Sequence, residues 1–144
     1  MSSASPTTSA ATRHDGVVVI VEDDAHIIGA LKLTLQVKHM ASTAYRSAEA
    51  MLDDMEVRDE RIWVPVDGQK VPMIFGLIDL NLPNLNGFAL ATRLRAHAPT
   101  LPMAIMTASF EDDRVFQGPI PDGVPCLTKP FRFHELEALL DKLP

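Results

Sequence analysis

The chain has 144 residues, of which 47% are apolar and 22% charged, enough length and hydrophobic content for one ordinary globular domain with its own core. A formal charge of −6 without any run of lysine or arginine argues against nucleic-acid binding, because neutralising phosphates takes a basic face. The single cysteine, Cys126, excludes an internal disulfide and fits a reducing compartment, and no apolar run approaches membrane-spanning length. Without a basic segment followed by an apolar one at the N-terminus, the expected location is cytoplasmic. Residues 1–15, rich in Ser, Thr and Ala, read as a disordered leader, and residues 16–144 as one domain.

Structure is predicted to begin at "GVVVIVEDD". Val17–Val21 is short and β-branched throughout, as a strand buried on both faces should be. Ile27, Ile28, Leu31, Leu35 and Val37 then mark a helix over about 25–39. "ASTAY" is a short second strand. "SAEAMLDDMEVRDE" reads as a helix, with Ser47 as its N-cap and Met51, Leu52 and Met55 at helical spacing. Met73–Leu77, ending near Ile78, is a third strand, and Phe88, Leu90, Ala91 and Leu94 predict a helix from Gly87 to His97. "LPMAIMTA" and "VPCLT" are strands four and five. The closing helix is "RFHELEALLDKL".

Alternating strands and helices predict an α/β sandwich with a parallel sheet, since each parallel connection needs a crossover. Ligands of such sheets bind beyond the carboxyl ends of the strands. Polar residues collect at those ends: Glu22 and Asp23 after strand one, Asp79 after strand three, Thr107 after strand four, Lys129 after strand five. Taken singly, the carboxylates are ordinary caps, Thr107 a strand-end hydroxyl and Lys129 a surface charge. Together they pose an electrostatic problem, because converging carboxylates must either protonate or recruit a cation. Oxygen-only donors favour a hard ion, Mg2+ above all. Lys129 and Thr107 complete a site for an anionic phosphoryl group, and Asp79 between them is a candidate nucleophile. Asp24 reads as the cap of the first helix. Pro83 and Gly87 shape the turn after Asp79. The five histidines are scattered and are assigned to neither metal nor catalysis.

These residues resemble the response-regulator receiver domain of two-component signalling, the CheY-like family. "VIVEDD" is similar to its first-strand acidic pair, "DLNLPNLNG" to its phosphoacceptor turn, "MTA" at 106–108 to its switch motif and "TKPF" at 128–131 to its lysine motif. The resemblance spans about 17–143. It implies a flavodoxin-like (βα)5 three-layer sandwich with a five-stranded parallel sheet. It also implies phosphorylation of Asp79 with Mg2+, held by Glu22, Asp23, Asp79 and the backbone carbonyl of Asn81. Thr107 and Lys129 would assist, and the Lys129–Pro130 bond would be cis. Such a protein is not a conventional enzyme: it catalyses its own phosphoryl transfer and dephosphorylation at Asp79. Its donor would be a histidine kinase or histidine phosphotransfer protein. With no output domain after the last helix of this sequence, the signal would leave by contact with a downstream protein, without nucleic acid or membrane. Two other classes stay open. One is a receiver-like interaction module that is never phosphorylated. The other is a Mg2+-dependent phosphohydrolase with an aspartate nucleophile, which would want an acid–base aspartate where Asn81 stands.

Three departures from the family pattern stand out. Asp23 and Asp79 are 56 positions apart, a longer interval than the family usually shows, and Asp67-Gly68 is a hairpin signal. A small β-ribbon is therefore expected in the insertion near 59–72, with Trp63 covering the edge of the core or presenting a binding surface. Cys126 stands where receivers usually carry an aromatic ring that moves with the switch threonine, and reads as a small buried hydrophobe. Finally, the prolines and glycines of "FEDDRVFQGPIPDGVP" leave room for only one or two turns of a fourth helix, around Glu111–Phe116.

Overall fold

The computed structural model describes residues 16–108 and 121–143. In chain order the elements are β1 (Val17–Val21), α1 (Ala25–Val37), β2 (Ser42–Tyr45), α2 (Ala48–Asp54), β3 (Glu56–Arg58), β4 (Arg61–Val66), β5 (Gln69–Asp79), α3 (Gly87–His97), β6 (Met103–Thr107), β7 (Cys126–Thr128) and α4 (Phe133–Leu140). The leader at 1–15 and the fourth-helix turns expected at 111–116 lie outside the described residues.

Five strands form the parallel sheet in the order β2-β1-β5-β6-β7. Val17–Val21 is fully buried, and so is every residue of β6, as strands covered on both faces require. One face packs Val17, Val19, Val21, Ile78 and Ile105 against Met51 of α2 and Phe88, Ala91 and Leu94 of α3. The other packs Val18, Ile20, Leu77, Ala104 and Met106 against Leu31 and Leu35 of α1 and Leu136 and Leu140 of α4. This is the three-layer sandwich. Helix entry is set by local caps: Asp24 accepts from His26 N (2.8 Å) and Ile27 N (3.3 Å), Ser47 from Ala50 N (3.1 Å), and Asn86 from Ala89 N (3.0 Å).

The insertion is a three-stranded antiparallel ribbon that continues into the sheet. β5 pairs with β4 over Gln69–Pro72 and with β1 and β6 from Met73 onward, so one strand serves both. Asp67 (φ 51°) and Gly68 (φ 82°) make the tight turn that the Asp-Gly dipeptide signals. The stretch after Asp54 departs from its sequence reading. The predicted helix stops there, and Glu56–Arg58 is a strand paired with β4. A second tight turn reverses the chain at Asp59 (φ 54°) and Glu60 (φ 60°), and glutamate is an unusual residue for that left-handed position. Ile62 and Val64, 1% and 0% exposed, cover the edge of the core. Trp63 points to the opposite face, its ring 4.6 Å from the guanidinium carbon of Arg58 and 5.5 Å from that of Arg61, so the core-edge role falls to its neighbours.

Candidate functional site

Register builds the site. Val21 of β1 lies opposite Ile78 of β5, Asp79 opposite Met106 of β6, and Thr107 opposite Thr128 of β7. The residues that finish or follow these strands therefore reach one edge of the sheet together. Ladder-like bonds carry the alignment past the strand ends: Leu80 N to Met106 O (2.8 Å), Lys129 N to Thr107 O (2.7 Å), and Glu22 N to Tyr45 O (3.0 Å).

Glu22 (1% exposed), Asp79 (3%) and Thr107 (0%) are the buried polar and charged residues among those described. Glu22, Asp23 and Asp79 each offer a carboxylate oxygen within 4.8 Å of the others; Asp23, beyond the end of β1, is exposed. The Lys129 ammonium lies 2.8 Å from Glu22 Oε1 and 3.3 Å from Asp79 Oδ1. The Asn81 backbone N–H donates to the same Asp79 oxygen at 3.1 Å, so two contacts hold Oδ1 in place. Glu22 is held at its other oxygen by the Asp24 amide, at 3.1 Å. Asp24 itself turns to the helix and caps it. The Lys129–Pro130 bond is cis.

Burial pushes the Glu22 carboxyl above the usual range and the nearby Asp79 charge adds to this, while the hydrogen bonds from Lys129 and the Asp24 amide act against the rise. Burial alone would lower Lys129. Its hydrogen bond to Glu22 and the charge of Asp79 outweigh that and hold the ammonium above its ordinary value. Three carboxylates against one ammonium leave two negative charges uncompensated. Two such charges 4.8 Å apart repel by about 3.5 kcal/mol at an effective dielectric of about 20. A divalent cation answers that charge. The donors are all oxygens, three carboxylates close enough to share one ion, which is the donor set that a hard cation such as Mg2+ takes. The residues fit the ion.

The turn after Asp79 is shaped by its own sequence. Asn84 adopts φ 64° and Asn86 caps α3. Gly87 is required by close approach: a Cβ there would meet the carbonyl oxygen of Asp79 and lie 2.8 Å from Leu80 Cα. Cys126 is half-buried, opposite Ile105 on the neighbouring strand, and packs against the core.

Comparison with known proteins agrees with this geometry. The family model described as "Response regulator receiver domain" matches residues 18–141. The chain belongs to this family. It is 28% identical over 127 residues to the DNA-binding transcriptional regulator NtrC of Klebsiella pneumoniae, covering 88% of this chain and 24% of that protein. With the transcriptional regulatory protein PrrA of Mycobacterium leprae the identity is 31% over 128 residues, covering 88% and 48%. The chain thus spans between about a quarter and a half of these relatives. Among solved structures it resembles a sensor protein from Polaromonas sp. JS666 (TM-score 0.69, 24% identity, 90% of this chain and 96% of that one). It also resembles the receiver domain of sensor histidine kinase PA1611 from Pseudomonas aeruginosa PAO1 (TM-score 0.65, 20% identity, 90% and 98%), which has a magnesium ion coordinated in its active-site cleft. Both likenesses are of fold. The receiver thus has the expected α/β architecture, and no helix among its described residues is long and apolar enough to cross a membrane.

All the site residues expected from sequence lie along this rim. Two side chains outside the motifs also touch the site's loops, Arg46 and Glu49. Arg46 Nη2 donates to the Asp23 carbonyl at 2.5 Å, and Glu49 Oε2 accepts from Leu85 N at 3.2 Å. Glu49 lies within α2, and Arg46, although it follows the carboxyl end of β2, belongs to none of the motifs and reads as a surface charge.

Proposed function

We propose that this receiver accepts a phosphoryl group on Asp79 from a phosphohistidine of a histidine kinase or phosphotransfer protein, and signals by changing the surface it offers to a downstream protein. The observation that carries the proposal is the buried Asp79 carboxylate, oriented by Lys129 and the Asn81 amide beside two further acids. An Asp79 oxygen attacks phosphorus as the phosphorus–nitrogen bond breaks, and the electron pair leaves on the imidazole nitrogen. Lys129, already between Glu22 and Asp79, offers its charge to the phosphoryl oxygens, and the Thr107 hydroxyl donates to one of them. Glu22, Asp23, Asp79 and the Asn81 carbonyl would hold Mg2+, which when bound would supply positive charge to offset that of the phosphoryl oxygens.

The added charge would bias two conformations of the surface around the rim. Cys126, where the family usually carries an aromatic ring, supports a second reading in which the domain binds its partner without phosphorylation. Intact-mass measurement separates the two. With acetyl phosphate and Mg2+, the wild type should gain one phosphoryl group and Asp79→Asn none. No adduct from acetyl phosphate, from a histidine kinase or from a phosphotransfer protein would leave the second reading.

A further inference from the structure

The turn between β2 and α2 touches both loops that carry the acidic site. Pairing of β1 with β2 runs one residue past the strands, through Glu22 N to Tyr45 O (3.0 Å). The next residue, Arg46, then hands its guanidinium to the Asp23 carbonyl at 2.5 Å. Three residues further, in the first turn of α2, Glu49 reaches across to Leu85 N at 3.2 Å, in the loop that runs from Asp79 to α3. The segment between these contacts is well anchored. Ser47 caps α2, and Ala48 and Met51 are fully buried in the core.

Glu49 keeps its place at a cost. Its Oε1 is buried and has no hydrogen-bond partner among the described residues. A carboxylate with one oxygen in that state is destabilising by itself, and an apolar side chain would fill the space without the penalty. What the carboxylate adds is a charge-assisted bond to a backbone amide four residues from Asn81.

We infer that Arg46 and Glu49 are positioning residues, a brace that sets the spacing between Asp23 on one loop and Asp79 and Asn81 on the other, and so tunes the affinity of the acidic site for a divalent cation. The inference rests on the Mg2+ reading of the site. Arg46 acts on the backbone of Asp23, and Glu49 on the backbone that follows Asn81. Contacts of this kind around metal ligands change metal affinity without touching the ion.

The test is calorimetric titration of Mg2+ into the full chain, with amide exchange at Leu85 followed in parallel. Arg46→Ala and Glu49→Ala should each weaken binding about tenfold. Glu49→Gln, which keeps an acceptor oxygen, should retain both Leu85 protection and most of the affinity. The double variant should lose less than the product of the single effects, since both residues hold one spacing. Variants that bind Mg2+ as the wild type does would overturn the brace and leave the metal site standing. Equal loss in Glu49→Gln and Glu49→Ala, with Leu85 protected in the former, would also overturn it. No binding by the wild type would overturn the metal reading, and the brace with it.

Discussion

Replacing Lys129 with methionine removes one positive charge while keeping an unbranched side chain of similar reach. In the wild type this ammonium, with a side chain 19% exposed, serves two carboxylates that are themselves nearly inaccessible, Glu22 at 2.8 Å and Asp79 at 3.3 Å. Removing one partner of a buried pair typically costs about 3–5 kcal/mol, because the remaining charge is left uncompensated. Asp23 is exposed, so water reaches part of the rim, and we expect the lower end, about 3 kcal/mol. For a domain of this size that is a fall of about 10 °C in Tm in metal-free buffer.

Mg2+ should then act unequally on the two proteins. At a concentration of about 100 times Kd it stabilises a folded protein by about 2.7 kcal/mol. Lys129 competes for the same oxygens, so the variant should bind Mg2+ more tightly and recover more stability than the wild type gains. Thermal unfolding of both proteins, with chelator and across a Mg2+ series, measures this. A variant as stable as the wild type without metal, with the same response to Mg2+, would refute the reasoning that Lys129 neutralises the carboxylates.

Gly87→Ala should destabilise the fold by about 2–3 kcal/mol and abolish phosphoryl uptake, because the new methyl group meets the Asp79 carbonyl and Leu80 Cα; denaturant unfolding and intact mass report the two effects. Ile62→Ala should cost about 2–4 kcal/mol by denaturant unfolding, since Ile62 is 1% exposed within the core; a loss near zero would make the ribbon a mere appendage. Glu22 has its pKa raised in the folded state, mainly by burial, so it contributes stability that is fully present below the unfolded value of about 4.3 and is lost as pH rises through the higher folded value. The stability difference between wild type and Glu22→Gln, measured without metal, should therefore move against the wild type across that window and level off above it.

The fold was legible where one signal dominated. Val17–Val21 is a buried run of β-branched residues whose composition admits little else than a central strand, and Asp67-Gly68 marked its hairpin because few residues accept positive φ. The helix from Ser47 was read too far because Met51, Leu52 and Met55 keep helical spacing up to the point where the chain becomes extended. Glu56 and Arg58 look like helix surface, and a turn through Asp59 and Glu60 has no glycine to announce it. Tertiary pairing with β4 decides that stretch. The site was legible because its residues sit at strand ends, where position in the chain maps directly onto position on the rim. Arg46 and Glu49 were not, since their contacts go to backbone atoms of distant loops, at sequence separations of 23 and 36.

Locating the modification within the chain shows whether Asp79 is the phosphoacceptor. The protein would be treated with acetyl phosphate and Mg2+, reduced with borohydride to convert an acyl phosphate to its alcohol, digested and mapped by peptide mass. Phosphorylation of Asp79 predicts homoserine at position 79, in a yield that falls when Mg2+ is chelated. Reduction at another carboxylate, or an unreduced peptide 74–87 from protein shown to carry the phosphoryl group, would contradict it.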